Sequence, residues 1–236
     1  MSASVVVVGA GNIGSHLIPH LGRMGLRRVR VIDPDTYEGG NLQNQDIRRD
    51  DVGRPKAIVQ AERLRCVDPA LDVSAIPDAV ENVPLGLLRA DVVLACLDSR
   101  AARRTVNAAA WRLGVPWVDA GVLGEELLAR VNVYRPGHGE PCAECAWDDA
   151  TYAALEQVYP CTGRVAARPT NAPSSLGALA AALQALECRK VLAGQWDVAA
   201  VGRQVTVSAL AHRHYVTRFV ANAGCRFDHE ILDVER

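Results

Sequence analysis

Apolar residues in the first half of the chain recur in short β-branched runs that alternate with segments of helical spacing. Strands are predicted over residues 4–9, 28–33, 73–76, 92–96 and 115–120, and helices over residues 14–25, 53–66, 84–89 and 100–113. Strands that alternate with helices form a mostly parallel sheet with helices on both faces, and the right-handed crossover makes it doubly wound. The pattern therefore predicts an α/β, Rossmann-like fold.

The pattern changes after residue 121. A strand is predicted over residues 127–134, a polar segment broken by prolines over 148–173, a helix over 174–192, and strands over 204–210 and 215–220. No internal repeat or flexible linker separates these parts. We therefore expect a single domain over residues 1–236. Its core would be residues 1–135, and residues 136–236 would form a crossover loop, a helix, strands and a metal-binding tail.

Composition excludes several classes of protein. The 236 residues are 49% hydrophobic and 22% charged, which is typical of a folded domain, and 26 basic against 27 acidic residues give a net charge of −1. Such a balance provides no general attraction to nucleic acid or anionic lipid. No basic segment precedes the first apolar run, and the longest apolar stretch is too short to span a bilayer. We expect a cytoplasmic protein with neither nucleic acid nor membrane as a partner.

A glycine motif marks a nucleotide site. Gly9, Gly11 and Gly14 have the spacing Gly-x-Gly-x-x-Gly directly after the first predicted strand, where a tight turn and a helix N-terminus accept a phosphate. Asp33 ends the second strand, 19 residues after Gly14, where a carboxylate commonly binds ribose hydroxyls. These residues alone would fit an NAD-dependent oxidoreductase as well as an enzyme that uses ATP.

The segment after Asp33 favours the enzyme that uses ATP. It contains an amide-rich loop with Asn41 and Gln45, and Lys56 stands at the start of the next predicted helix. Amide groups and a lysine ammonium bind phosphate oxygens, whereas hydride transfer requires neither. The structural alternative is a surface lysine, although a cation in the first turn of a helix opposes the helix dipole.

Several motifs together resemble the ThiF/MoeB/HesA family, the bacterial relatives of ubiquitin-activating enzymes. They are the glycine motif, Asp33-Pro-Asp35 with Asn41-Leu42-Gln43, Val52-Gly53 with Pro55-Lys56, Cys96-Leu97-Asp98-Ser99-Arg100, and Cys142-Ala143-Glu144-Cys145. The resemblance implies an adenylyltransferase that uses ATP to activate a carboxylate for thioester, thiocarboxylate or amide formation. The carboxylate is commonly the C-terminus of a ubiquitin-like or sulfur-carrier protein, or of a peptide.

The resemblance also implies roles for individual residues. Asp33 would hold the ribose, Asn41 and Lys56 would contact the phosphates, and Asp98 would position Mg²⁺. Asp98 follows a predicted strand, where parallel strands present ligand-binding residues, but Asp98 or Ser99 could instead cap the next helix. Relatives of this kind are dimers, so a homodimer is expected.

Two phosphate-binding arginines of the family are missing. Asn44 stands where the family has an arginine, and the first strand begins too early for the N-terminal helix that supplies the other in many relatives. Arg48, Arg49 or Arg54 could substitute, because a guanidinium on a long side chain suits phosphate. If none does, the chain could be a non-catalytic nucleotide-binding scaffold subunit.

The cysteine spacing predicts a structural zinc site. Cys142 and Cys145 form one half of a tetrahedral site. The family resemblance implies the other half, because relatives carry a second Cys-x-x-Cys near the C-terminus, where this chain offers Cys225 with His229 or, less favourably, Asp228. Such a site would fix the tail, because metal affinity adds to the folding free energy. The alternative is a set of unrelated thiols beside a surface histidine.

The remaining cysteines divide into two groups. Cys66, Cys96 and Cys188 fall on predicted helices or strands and are expected in the core. Cys161 lies in the proline-broken segment, where some members of the family carry a cysteine that forms a thioester or persulfide. Nearby Arg164 and Arg168 would favour its thiolate. Other members release the adenylate without a cysteine, so both possibilities stay open for Cys161.

Overall fold

A computed structural model describes residues 3–156 and 172–231 and contains one eight-stranded sheet with the order β3-β2-β1-β4-β5-β6-β7-β8. The strands are β1 (Ser4–Val8), β2 (Arg28–Ile32), β3 (Asp72–Ile76), β4 (Val92–Ala95), β5 (Trp117–Leu123), β6 (Leu128–Tyr134), β7 (Arg203–Ser208) and β8 (Arg213–Arg218). The helices are α1 (Asn12–Leu21), α2 (Lys56–Val67), α3 (Arg100–Leu113), α4 (Asp149–Glu156) and α5 (Ser174–Leu192).

The first five strands are parallel and the last three add antiparallel pairs. β1 lies between β2 and β4, so the chain leaves β1 toward one side of the sheet and returns on the other. The carboxyl ends of β1 and β4 therefore border a crevice, which is where doubly wound sheets bind ligands. The predicted α/β, doubly wound architecture is confirmed, and β6, β7 and β8 extend it by antiparallel pairing.

Helices cover both faces of the parallel part. Val5 and Val7 of β1 pack into a core with α1, α2 and α5, whereas Val6 and Val8 pack against α3 on the opposite face. Burial on both faces explains why β1 is apolar at every position after its first residue. Within residues 3–156 and 172–231, no helix is long and apolar enough to cross a bilayer.

The structure differs from the predicted elements in three places. Residues 84–89 form a short 3₁₀ turn, Leu85–Leu88, because the segment is too short for a helix of two turns. The polar segment contains α4, which begins after Asp148, whose carboxylate accepts the backbone N–H of Thr151 at 2.8 Å. Cys66 is exposed in the last turn of α2, so its expected core position is wrong.

Candidate functional site

A cleft of about 1050 Å³ lies at the carboxyl ends of the parallel strands. The predicted site residues that line it are Gly9, Gly11, Asp33, Asn41, Gln45, Lys56 and Asp98. They come from the ends of β1, β2 and β4, from the loop after β2 and from the first turn of α2. The fold therefore brings together the nucleotide-site residues that the sequence predicted, with Gly14 behind the loop.

The three positions of the motif require glycine for different reasons, which the surroundings of each Cα show. Gly9 has φ +97°, and a Cβ there would overlap the carbonyl of Cys96, while a Cβ on Gly14 would overlap the carbonyl of Gly9. A Cβ on Gly11 would meet no atom within 4 Å. Two glycines thus allow the loop to pack, and the third leaves open space in front of the uncapped N-terminus of α1.

Asp33 is buried beside this loop. Its carboxylate accepts the backbone N–H of Ala10 at 2.6 Å and that of Asp35 at 2.8 Å. Burial raises the pKa of Asp33, while the charge of Lys56 and these two hydrogen bonds oppose the rise. A carboxylate has about four lone-pair sites, so Asp33 can also accept hydroxyl groups of a ligand.

Tyr37 is a structural residue of the site that sequence reasoning missed. Its buried hydroxyl donates to the carbonyl of Ala10 at 2.8 Å and accepts from the Gln60 side chain at 2.8 Å. Burial raises the pKa of Tyr37, which keeps the hydroxyl a donor. Tyr37 therefore connects the glycine loop to α2, and no spacing in the sequence signals this contact.

Lys56 is buried, so the alternative of a surface lysine is wrong. Its backbone N–H donates to the carbonyl of Asp35 at 2.8 Å, and its Nζ lies 3.0 Å from Oδ2 of Asp35. The Asp35 side chain is 64% exposed. Lys56 lines the cleft, so a phosphate could take the place of the Asp35 carboxylate at Nζ. Because the Asp35 side chain is exposed, this exchange would not leave a buried acid unpaired.

The amide-rich loop leaves polar atoms without partners. Oδ1 of Asn41 accepts the backbone N–H of Glu38 at 2.9 Å, which leaves the Asn41 amide group as a donor toward the cleft. The buried side-chain oxygens of Asn44 and Gln45 have no hydrogen-bond partner within the described part of the chain. Buried polar groups normally have hydrogen-bond partners, so unpaired amide oxygens beside a lysine are expected in a site that binds a polar ligand.

Asp98 is free to bind a cation. The hydroxyl of Ser99 accepts the backbone N–H of Ala102 at 3.3 Å and caps α3, so Asp98 is not needed there. Asp98 is exposed in the cleft and has no hydrogen bond or ion pair with any residue of 3–156 or 172–231. An exposed carboxylate at the end of a parallel strand fits a Mg²⁺ ligand.

The three arginines proposed as substitutes do not line the cleft. Arg48 and Arg49 are exposed, and Arg54 binds both carboxylate oxygens of Glu62, at 2.7 and 2.8 Å. Among the described residues, the cations that line the cleft besides Lys56 are Arg100, Arg103 and Arg130. Sequence reasoning missed Arg130 because it reaches the cleft only through the pairing of β5 with β6.

A buried cluster of charge lies at the end of the cleft formed by β5 and β6. Nε of Arg103 lies 2.8 Å from Oδ1 of Asp119, and Nη1 of Arg130 lies 2.8 Å from Oδ2 of Asp119 and 2.7 Å from Oδ1 of Asn132. We call these four residues the Asp119 cluster. Arg103 also donates to the carbonyl of Leu97, which precedes Asp98. Two arginines share one acid, so the cluster keeps one positive charge.

The predicted metal ligands form a compact group away from the cleft. Sγ of Cys142 lies 3.7 Å from Sγ of Cys225 and 3.8 Å from Sγ of Cys145, and Sγ of Cys145 lies 3.3 Å from Nε2 of His229. Two sulfurs each bound to one zinc ion at tetrahedral angles are about 3.8 Å apart. The four ligand atoms, all within 4.8 Å of one another, therefore fit a zinc ion.

Asp228 does not belong to this Cys/His cluster. Its carboxylate binds Arg112 through two hydrogen bonds of 2.8 and 2.6 Å, and this partner lowers the pKa of Asp228 to about 2. His229 instead packs its ring against Trp111, with 4.9 Å between the ring centroids. Between the two alternatives for the fourth ligand, the geometry favours His229.

Cys161, Arg164 and Arg168 lie outside the described residues. At the start of α5, a Cβ on Gly177 would overlap the side-chain amide of Asn12, a residue that lines the cleft. The Asn12 amide also donates to the carbonyl of Ala172 at 2.9 Å, so the first turn of α1 lies directly against α5.

The amino-acid sequence is similar to those of several adenylyltransferases. The Escherichia coli (strain K12) sulfur carrier protein ThiS adenylyltransferase is 30% identical over 152 residues, which cover 63% of this chain and 60% of that protein. The molybdopterin-synthase adenylyltransferase of the same organism is 28% identical over 224 residues, covering 94% of this chain and 85% of that protein. The chain thus spans about three fifths of the first relative.

Solved structures give the same fold. A crystal structure of E. coli MccB with ATP superposes with a TM-score of 0.76 at 24% identity, covering 95% of this chain and 65% of MccB. The ThiF family matches residues 1–226, which is nearly the whole chain. The chain belongs to the ThiF family.

Proposed function

We propose that the chain is an ATP-dependent adenylyltransferase. Its substrate would be the C-terminal carboxylate of a ubiquitin-like or sulfur-carrier protein, or of a peptide. The observation that carries the proposal is the arrangement of one cleft: Asp33 and the glycine loop lie at one end, buried Lys56 lies beside them, and exposed Asp98 follows the central strand β4. The names of the relatives support the activity.

Adenylation requires two anions to approach each other. A carboxylate oxygen attacks the α-phosphorus of ATP, the bond to the bridging oxygen breaks, and pyrophosphate leaves with the electron pair. Lys56 and the amide of Asn41, which line the cleft, would bind the departing phosphates, and Asp33 would fix the ribose. Asp98 would hold Mg²⁺, which neutralises phosphate charge when it is bound.

We also propose that the protein binds a zinc ion with a structural role. Cys142, Cys145, Cys225 and His229 would hold it, and a site closed by four protein ligands leaves no position for a substrate. The homodimer and a covalent role for Cys161 remain proposals that rest on the family resemblance. The thioester or persulfide would be tested directly by mass spectrometry of Cys161→Ser beside wild type.

ATP–pyrophosphate exchange tests the proposed activity. Wild type with Mg²⁺, ATP and a C-terminal Gly-Gly peptide or a sulfur-carrier protein is compared with Asp98→Ala and Lys56→Ala. Exchange in wild type that falls at least about a thousandfold in Asp98→Ala supports the enzyme. ATP binding without exchange would instead favour a non-catalytic scaffold subunit, and binding of nicotinamide nucleotides in place of ATP would favour the oxidoreductase.

A further inference from the structure

The Asp119 cluster contains an arginine of the cleft, Arg130, whose hydrogen bonding is incomplete. Nη1 of Arg130 binds Asp119 and Asn132, whereas its Nε and Nη2 groups have no acceptor within residues 3–156 and 172–231. The Arg130 side chain is 30% exposed and lines the cleft. The guanidinium is therefore anchored at one nitrogen and offers the others to a ligand.

The backbone makes room for this side chain. Gly121 of β5 is paired with Arg130 of β6, and a Cβ on Gly121 would come within 2.9 to 3.0 Å of Nε, Cζ and Nη2 of Arg130. Because Gly121 lacks a side chain, the Arg130 guanidinium can occupy the space directly beside the strand. Gly121 itself lines the cleft.

The sheet order places Arg130 opposite the nucleotide residues. β2, which Asp33 follows, and β6, which carries Arg130, are four strand spacings apart, a distance of about 19 Å. β4, which leads to Asp98, lies midway between them. Lys56, Asn41 and Gln45 are on the Asp33 side, so cationic side chains lie toward both ends of the cleft, Lys56 at one and Arg130 at the other, with the Asp98 carboxylate between them.

The in-line geometry of displacement at the α-phosphorus indicates which group would lie at the end of the cleft that contains Arg130. The attacking and leaving oxygens lie roughly in line on opposite sides of the phosphorus. If pyrophosphate leaves toward Lys56 and Asn41, the attacking carboxylate must approach from the side of Arg130. We propose that Arg130 binds the substrate's carboxyl group, through the oxygen that does not attack, and so orients the acid for adenylation. This inference rests on the proposed function.

Arg103 has a different part in the cluster. Its guanidinium binds Asp119 and the carbonyl of Leu97, and its side chain is only 12% exposed. It is a positioning residue that fixes the strand end before Asp98. Because Arg103 remains paired with Asp119 when Arg130 is removed, Arg130→Gln leaves a neutral buried pair and not an isolated acid.

Three non-reactive probes test the assignment by calorimetry with the full chain and Mg²⁺. They are α,β-methylene ATP, 5′-O-sulfamoyladenosine, and the same sulfamate carrying a glycylglycyl group, which mimics the acyl-adenylate. In wild type the glycylglycyl group should increase affinity. In Arg130→Gln this increase should shrink about tenfold to a hundredfold, while the affinities for the other two probes stay unchanged.

Three further variants serve as references for this measurement. Arg130→Lys should keep part of the increase in affinity, because lysine keeps the positive charge but lacks the two parallel N–H donors of a guanidinium. Gly121→Ala should lower it by displacing the guanidinium. Arg28→Gln, which removes a surface arginine paired with Asp72, should match wild type.

The outcomes separate the inference from the proposed function. An unchanged glycylglycyl increase in Arg130→Gln, or an equal loss for all three probes, would overturn the role of Arg130. Wild type that binds α,β-methylene ATP but gains nothing from the glycylglycyl group would overturn it as well. Wild type that binds none of the probes would overturn the proposed function itself.

Discussion

The cleft and the Cys/His cluster both gather residues that are distant in sequence, but they do so in opposite ways. In the cleft, Asp98 has no partner among the described residues, the oxygens of Asn44 and Gln45 are unpaired, and a Cβ on Gly11 would point into open space. In the Cys/His cluster four ligand atoms already face one another. An incomplete site indicates ligand exchange, whereas a closed site indicates structure.

Removing a ligand of the Cys/His cluster should have the largest effect on stability. Cys225→Ser should lose the zinc ion and lower the free energy of unfolding by about 4 kcal/mol or more, equivalent to about 10 °C in melting temperature. Metal analysis and thermal unfolding measure both quantities. Asp228→Asn is the matched control and should keep one zinc per chain. Loss of zinc in this control would contradict His229 as the fourth ligand.

Two glycine substitutions in the cleft should separate packing from ligand binding. Gly14→Ala forces a methyl group against the carbonyl of Gly9 and should cost about 1–3 kcal/mol of stability. Gly11→Ala meets no protein atom, so its melting temperature should equal that of wild type while its affinity for ATP falls. Unchanged ATP affinity in a folded Gly11→Ala would show that the phosphate lies elsewhere.

Restoring the family's arginine should strengthen the cleft. Asn44 lines the cleft with an unpaired oxygen, and Asn44→Arg would supply charge-assisted hydrogen bonds to phosphate. We expect ATP to bind about tenfold more tightly, as measured by calorimetry. Gln43→Arg adds the same charge at an exposed neighbour and should change little. Equal gains in both variants would point to general charge and not to a phosphate contact.

The smallest effect is expected at Arg54. Its exposed pair with Glu62 does not line the cleft, so Arg54→Ala should move the melting temperature by no more than about 2 °C. Its affinity for ATP should equal that of wild type in the same titration. A clear loss of affinity would restore Arg54 as a substitute for the missing arginines.

Local patterns predicted the parts of the structure that depend on local interactions. The helices at residues 100–113 and 174–192 coincide with α3 and α5, because apolar positions at helical spacing define the first and a run rich in alanine and leucine defines the second. The glycine motif, Asp33 and Lys56 were predicted to share a site because parallel strands end at the same edge of a sheet. α4 was missed because prolines in the same segment dominate its composition.

The Asp119 cluster shows the limit of such reasoning. Arg103 lies on α3, Asp119 on β5 and Arg130 on β6, and no motif connects them. Only the register of β5 with β6, and the empty position at Gly121, place the Arg130 guanidinium in the cleft. The same limit explains why Arg48, Arg49 and Arg54 were considered: they are close to the cleft in sequence but not in space.

The contact between Gly177 and Asn12 joins α5 to the first turn of α1. A side chain at position 177 would push the Asn12 amide out of place, although position 177 belongs to a helix far along the chain from the glycine motif. If the cleft binds ATP as proposed, substitutions on α5 that touch no nucleotide would change the affinity for ATP. Any redesign of the cleft therefore has to include that helix, because it supports a residue of the cleft lining.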